Sequence, residues 1–331
     1  MASGSAVRVA VLDEYLGIAG SLPHWKRLDG RIRLDVFTDT PGSEDAVAER
    51  VAPYEVLVPI RERTRFPATL LARLPALRLL ALAGRHTGQV DLPAARARGI
   101  VVSDTEGSSV GAVELTMALM LAIARRIPQE DRALRGGRWQ TALGVELGGK
   151  TLGIVGLGNI GKKVARICVA AFRMRVLAYD PYVPAGKARA VGAEPVAELG
   201  RIWRESDFVS MHPELNDDTR GMVGERELRA MQEHAFLVNT ARGPVVSAPA
   251  LARALREGWI AGAALDVYED EPVGKDSPLA GIENLILSPH IAGLTDEALR
   301  GMAFSAAEQI LQALRGERPP HLVNPEVWGR S

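Results

Sequence analysis

Cysteine is almost missing from this chain: Cys168 is the only one in 331 residues, so no intramolecular disulfide can form. That usage suits a reducing compartment, and the apolar neighbours of Cys168 in an expected helix make it a buried core residue. Net charge is missing too, with 40 basic residues against 40 acidic ones. No global field draws the protein to nucleic acid or to an anionic membrane, which leaves a small molecule as the expected partner. No apolar run approaches the ~20 residues of a membrane span. The most apolar stretch, Ala112 to Ala124, carries Glu114 and is expected to be a core helix. Met1 to Val7 shows no basic segment followed by an apolar one, so the expected location is cytoplasmic. Internal repeats and low-complexity tracts are absent as well, which argues against solenoids and propellers.

What is present is alternation. Short β-branched runs alternate with alanine-rich amphipathic runs, the pattern of βαβ units and of an α/β fold with parallel sheets. Val7 to Leu12, Leu34 to Phe37, Val56 to Ile60, Leu77 to Ala83 and Gly99 to Ser103 read as strands. A polar stretch at Thr105 to Gly111 reads as a hinge before a long helix, Ala112 to Arg126. A second α/β pattern begins at Thr151 and continues to about His290, and Thr295 to Arg315 reads as one amphipathic helix with Asp296 and Glu297 in its first turn. The expected architecture is two doubly wound domains, Rossmann-like or flavodoxin-like, with an active site in the cleft between them. Their expected extents are 1–108 plus 293–331 for a discontinuous substrate-binding domain, and 109–292 for the nucleotide domain.

The strongest local signal follows the run Leu152 to Val155. There Gly156-Leu157-Gly158-Asn159-Ile160-Gly161 leads into a helix whose Val164, Cys168 and Phe172 recur every four residues. Gly156 permits a tight turn, Gly158 lets backbone approach a pyrophosphate, and Gly161 lets helix and strand pack closely. The next strand, Arg175 to Tyr179, ends in Asp180, 19 residues after Gly161. That spacing is near the ~20 expected for a ribose-binding acid, which accepts from both ribose hydroxyls and repels a 2′-phosphate. The expected cofactor is NAD in preference to NADP, and no metal site is expected.

Four further apolar runs, Phe208 to Met211, Ala235 to Val238, Ala261 to Val267 and Leu285 to Leu287, each end in polar residues. Ligands of doubly wound sheets sit outside the carboxyl ends of the strands, where Arg242, Glu271 and His290 fall. Oxidising a 2-hydroxy acid needs a base, a cation for the carboxylate and the developing carbonyl charge, and a group that tunes the base. His290 suits the acid/base, Glu271 its partner, and the planar fork of Arg242 the carboxylate. Taken singly, each has a plainer structural reading; their shared position favours the catalytic one.

At these residues a family becomes visible. Asn239-Thr240-Ala241-Arg242-Gly243, Ala264-Leu265-Asp266-Val267-Tyr268 with Glu271-Pro272, and Ser288-Pro289-His290-Ile291 resemble the signature blocks of D-isomer-specific 2-hydroxyacid dehydrogenases. Gly149 to Ile154 and Ala112 to Leu115 also look like family segments, so the resemblance covers nearly the whole chain. It implies a hydride transfer between NAD and C2 of a small 2-hydroxy or 2-oxo acid, with Arg242, Glu271 and His290 as the catalytic trio. It also implies cofactor contacts at Asn159, Ile160, Asp180, Thr240 and Asp266, to which His212, Pro213, Ala241 and Gly293 are added. Substrate carboxylate binding would fall to Gly84, Arg85, His86 and Thr87, although Arg85 and His86 are bulkier than the small residues usual there. His212-Pro213-Glu214-Leu215 departs from the family stretch too, so both departures bear on which acid is used. Such enzymes are homodimers, joined through the nucleotide domain and a segment corresponding to Val113 to Gly148. The alternative from another class is an NAD-sensing dimeric binding protein on the same fold.

Overall fold

The structure is a computed structural model and describes residues 6–84, 87–105 and 108–329. Two compact units divide the chain: Met1–Ser108 with Thr295–Ser331, and Ser109–Leu294.

In the first unit, strands β1 (Val7–Leu12), β2 (Ile32–Val36), β3 (Val56–Pro59), β4 (Leu79–Leu82) and β5 (Val101–Asp104) form one sheet in the order β2-β1-β3-β4-β5. Every pairing in it is parallel. This is the flavodoxin-like doubly wound order. Side chains alternate between faces along each strand, and both faces are covered, which is why the runs are apolar throughout. Val9 and Val11 pack with Ile310 and Leu311 of the terminal helix Asp296–Leu314. Ala10 and Leu12 face the other way, toward Val47, Leu70 and Ala95 of helices α1 (Glu44–Val51), α2 (Ala68–Ala72) and α3 (Leu92–Ala97). Burying a leucine such as Leu57 or Leu80 contributes about 1.5–3 kcal/mol relative to exposure. The terminal helix starts where expected: the Thr295 hydroxyl accepts from the Ala298 N–H, and Asp296 and Glu297 occupy the first turn.

The second unit opens with α4 (Val110–Ala124) and α5 (Ile127–Arg135). Its sheet is built from β6 (Thr151–Val155), β7 (Arg175–Tyr179), β8 (Glu194–Pro195), β9 (Phe208–Met211), β10 (Phe236–Asn239), β11 (Gly262–Leu265) and β12 (Leu285–Leu287). The order is β12-β11-β10-β9-β6-β7-β8, parallel at every pairing. The strand order reverses between β6 and β9, the position at which such sheets bind ligands. On one face, α4 and α6 (Asn159–Phe172) cover Ile154, Val176 and Val238; on the other, Leu177, Val209 and Leu237 are covered from the segment Val196 to Leu255. Val164 and Cys168 of α6 are completely buried. Burial pushes the Cys168 thiol up to about 12, which makes it an inert apolar filler.

Several boundaries move by a residue or two from the sequence expectation, for local reasons. The helix expected at Ala112 to Arg126 runs Val110–Ala124, because Arg126 adopts a left-handed φ of 53° and breaks the pattern. The strand expected from Gly99 begins at Val101, since Gly99 sits in a turn at φ 68°. Strand β8 was not expected: two residues, one of them proline, carry no periodicity. Among the described residues, no helix is long and apolar enough to cross a membrane.

Candidate active site

The turn after β6 is shaped by close backbone packing. Gly156 has φ 90°, and a Cβ there would lie 2.6 Å from the carbonyl carbon of His212, the first residue beyond β9. A Cβ on Gly161 would lie 2.2 Å from the Gly156 oxygen, so α6 can start this close to β6 only without a side chain. Gly158 differs: a Cβ there would meet nothing within 4 Å. Gly158 and Asn159 are exposed at the amino end of α6, while Ile160 is partly buried against the core.

Asp180, directly past β7, is held in a fixed orientation. Its Oδ2 accepts the Leu157 N–H at 2.7 Å and its Oδ1 accepts the Tyr182 N–H at 2.9 Å. Each oxygen retains a lone pair. Asp180, Gly156, Gly158, His212 and Pro213 line one cavity of about 1080 Å³. The His212 imidazole, hydrogen-bonded to the Ser210 hydroxyl at 2.8 Å, is pushed down to about 4 by burial and is neutral at physiological pH. An open amide-bearing helix start, a fixed carboxylate and a roomy cavity at the switch point fit a dinucleotide.

The three polar candidates lie beyond β10, β11 and β12, which are neighbours in the sheet. Arg242 stands three residues past the end of β10. Its turn is stapled by Asn239, whose side-chain oxygen accepts from the Ala241 N–H (3.0 Å) and whose side-chain nitrogen donates to the Arg242 carbonyl (3.0 Å). Arg242 Nη1 donates to the Ala241 carbonyl at 2.6 Å. Gly243 then presses on the next loop: a Cβ there would lie 1.9 Å from the Tyr268 carbonyl carbon. The segments that carry Arg242 and Glu271 are therefore in backbone contact.

Glu271 and His290 meet directly. His290 Nδ1 lies 2.6 Å from Glu271 Oε2, and Glu271 Oε1 accepts the Tyr268 N–H at 3.0 Å. The two side chains keep only 14% and 21% of their exposure. With Nδ1 engaged by the carboxylate, Nε2 is the nitrogen left for an external proton partner.

Asp266 is fully buried, and its carboxylate turns toward the His290 segment. It accepts from the Ser288 hydroxyl (2.7 Å) and from the Ile291 (2.8 Å) and Ala292 (2.9 Å) N–H groups. Thr240 lies 2.7 Å from the Thr116 hydroxyl, which itself donates to the Ala112 carbonyl; Thr240 is thus the donor of that pair. Ala241 is buried and Gly293 half-buried. In the other unit, the Gly84 N–H donates to the Thr105 hydroxyl at 2.8 Å, so this amide already has a partner. Thr87 is half-buried, and Arg85 and His86 lie outside the described residues. Among the described residues, no group of three or more His, Cys, Asp or Glu side chains could hold a metal ion.

Sequence reasoning did not single out Asn239, Gly243 or Tyr268 as site residues. Asn239 had a signal, a polar residue closing an apolar strand run. The requirement at Gly243 is visible only once Tyr268 lies against it.

A glycine turn at the switch point, an acid closing the next strand and a half-buried imidazole–carboxylate pair at the same edge together define a dinucleotide-dependent oxidoreductase. Residues 117–292 match the NAD binding domain of the D-isomer specific 2-hydroxyacid dehydrogenases. The chain is 40% identical to a glyoxylate reductase of Korarchaeum cryptofilum, over 91% of this chain and 92% of that one. It is 38% identical to a D-3-phosphoglycerate dehydrogenase of Methanocaldococcus jannaschii, over 88% of this chain but only 55% of that one. Among solved structures, a putative D-3-phosphoglycerate dehydrogenase from Ralstonia solanacearum superposes with a TM-score of 0.91 at 35% identity, covering 98% of both chains. The chain belongs to the D-isomer specific 2-hydroxyacid dehydrogenase family. It is an NAD-dependent 2-hydroxyacid oxidoreductase, and relatives named for catalysis do not favour the NAD-sensing alternative.

Proposed function

We propose that the enzyme reduces a short 2-oxo acid of the glyoxylate type, with His290 as acid/base, Glu271 as its partner and Arg242 as the substrate-binding cation. The hydrogen bond between His290 Nδ1 and Glu271 Oε2 at 2.6 Å carries this reading. NADH, when bound, supplies a hydride to C2. His290 delivers the accompanying proton from Nε2 to the C2 oxygen, which becomes the hydroxyl. Glu271 fixes the imidazole's orientation and tautomer through Nδ1. Arg242 pairs with the substrate carboxylate and polarises the C2 carbonyl. In the reverse direction, His290 takes the hydroxyl proton.

Within the same reading, the unit Ser109–Leu294 binds NAD. The α6 start at Gly158, Asn159 and Ile160 holds the pyrophosphate, and Asp180 holds the ribose hydroxyls. His212, Pro213, Thr240, Ala241, Asp266 and Gly293 border the remainder of the cofactor. By the family resemblance, binding of the substrate carboxylate falls to Gly84, Arg85, His86 and Thr87. The glyoxylate preference rests on the Korarchaeum relative, which this chain matches along nearly its full length, whereas the phosphoglycerate relative is matched over 55% of its own. A homodimer is supported by the exposed apolar side chains that follow α4, Ile127 (54%), Leu134 (57%), Trp139 (76%) and Leu143 (92%). A cytoplasmic location is supported by the lone, buried thiol.

The test follows NADH absorbance with glyoxylate, hydroxypyruvate, pyruvate and longer 2-oxo acids. Turnover greatest with glyoxylate is expected. Tight NADH binding with no turnover of any of them would defeat the reading.

A further inference from the structure

We propose that the Tyr268 hydroxyl is a positioning group that fixes the turn carrying His290. The inference rests on the reading of His290 as the acid/base, and its starting point is the backbone of that turn. His290 has φ 54°, a left-handed conformation uncommon for a residue with a Cβ, and here bonds to neighbouring segments hold it. The restraint comes from two residues near the end of β11. Asp266 accepts the Ile291 and Ala292 N–H groups on the far side of the turn and the Ser288 hydroxyl on the near side. On the near side, the Ser288 carbonyl receives two donors at once, the His290 N–H at 3.0 Å and the Tyr268 hydroxyl at 2.9 Å.

Tyr268 therefore bonds Glu271 directly and reaches the His290 turn through Ser288. Its backbone N–H donates to Glu271 Oε1 at 3.0 Å, and its hydroxyl anchors the carbonyl two residues before His290. Burial, with the Asp266 and Glu271 carboxylates nearby, pushes the phenol well above its ordinary range, so the group stays a donor wherever the enzyme works. Without that hydroxyl the Ser288 carbonyl keeps only the His290 N–H as donor, the peptide after Ser288 gains freedom to rotate, and the imidazole tilts against a carboxylate that has not moved. Asp266 and the Leu265 carbonyl also hold Ser288, through its hydroxyl and its N–H, but both are acceptors and neither can replace a donor at the Ser288 carbonyl.

The test is Tyr268→Phe in the full chain, which keeps the ring and the Glu271 bond and removes only the hydroxyl. Loss of one hydrogen bond that aligns the pair should lower kcat for glyoxylate reduction about five- to tenfold. The NADH Kd, read by fluorescence titration, stays unchanged. In the proton NMR spectrum, the low-field resonance of the Nδ1–H shared by His290 and Glu271, assigned by its disappearance in His290→Ala, should move upfield or broaden. An unmoved resonance overturns the proposal whatever kcat does, and so does a moved resonance with unchanged kcat. Weakened NADH binding with the pair intact would make Tyr268 a cofactor contact and overturn it equally. If the wild-type enzyme turned over no 2-oxo acid, the resonance would still decide the positioning role, so the two readings fail separately.

Discussion

Replacing Gly243 by alanine adds one methyl group, and the structure says what that methyl meets. The new Cβ would stand 1.9 Å from the Tyr268 carbonyl carbon and 2.0 Å from its oxygen. Carbon atoms rest at about 3.5–4.0 Å, so the Arg242 turn and the Tyr268 to Glu271 loop must part by roughly 1.5 Å or more. Neither partner is a flexible side-chain tip; both are backbone. Overpacking of this kind costs about 1–3 kcal/mol of stability. The effect on catalysis is larger, because misplacing reacting groups by about 1 Å can cost on the order of 100-fold. Gly243→Ala should therefore lower kcat/KM for the 2-oxo acid about 100-fold, with a smaller loss of NADH affinity through the neighbouring Thr240 and Ala241. Steady-state kinetics with a fluorescence titration of NADH and a thermal melt would separate these effects. An alanine enzyme with wild-type kcat/KM and an unchanged Tm would refute the claim that the two segments are locked together through Gly243.

Three other outcomes follow from the same geometry. Asp180→Ala removes the carboxylate that would oppose a 2′-phosphate, so the ratio of NADPH to NADH affinity should rise at least about tenfold; an unchanged ratio in paired titrations would count against a ribose-binding Asp180. His212 is pushed by burial from 6.5 down to about 4. The unfolded chain takes up that proton first, so stability falls as pH drops from 6.5 toward 4, by at most about 3 kcal/mol and less for a side chain that keeps some water contact. His212→Gln should flatten the Tm–pH curve in that window, and parallel curves would refute the assignment. Paired Trp139→Asp and Leu143→Asp changes should yield a monomer in sedimentation velocity, and a persistent dimer would exclude this face as the contact.

Much of this was legible in the chain itself, for reasons that differ by element. The β6 to α6 turn declares itself because three glycines at fixed spacing are needed for three separate close approaches, two of which appear here as Cβ contacts of 2.6 and 2.2 Å. Arg242, Glu271 and His290 could be picked out because polar residues directly after buried parallel strands have one common destination, the carboxyl edge of the sheet. What stayed hidden was side-chain direction. Asp266 reads as a cofactor contact, and the chain gives no sign that its carboxylate also ties the Ser288 hydroxyl and the Ile291 and Ala292 N–H groups, a bond set that connects residues more than 20 positions apart. Tyr268 reads as a strand-end aromatic until its hydroxyl is seen at the Ser288 carbonyl. The edge strand Glu194–Pro195 is too short for any period to register, and its place is set by pairing with Leu177 and Ala178.

The measurement that reaches furthest is His290→Ala assayed beside the wild-type enzyme with NADH and glyoxylate. A positioned acid/base contributes about 10² to 10⁴ in rate, so turnover should fall by that factor while the NADH Kd stays within about twofold. Wild-type turnover in the alanine enzyme would show that the imidazole beside Glu271 handles no proton of the reaction.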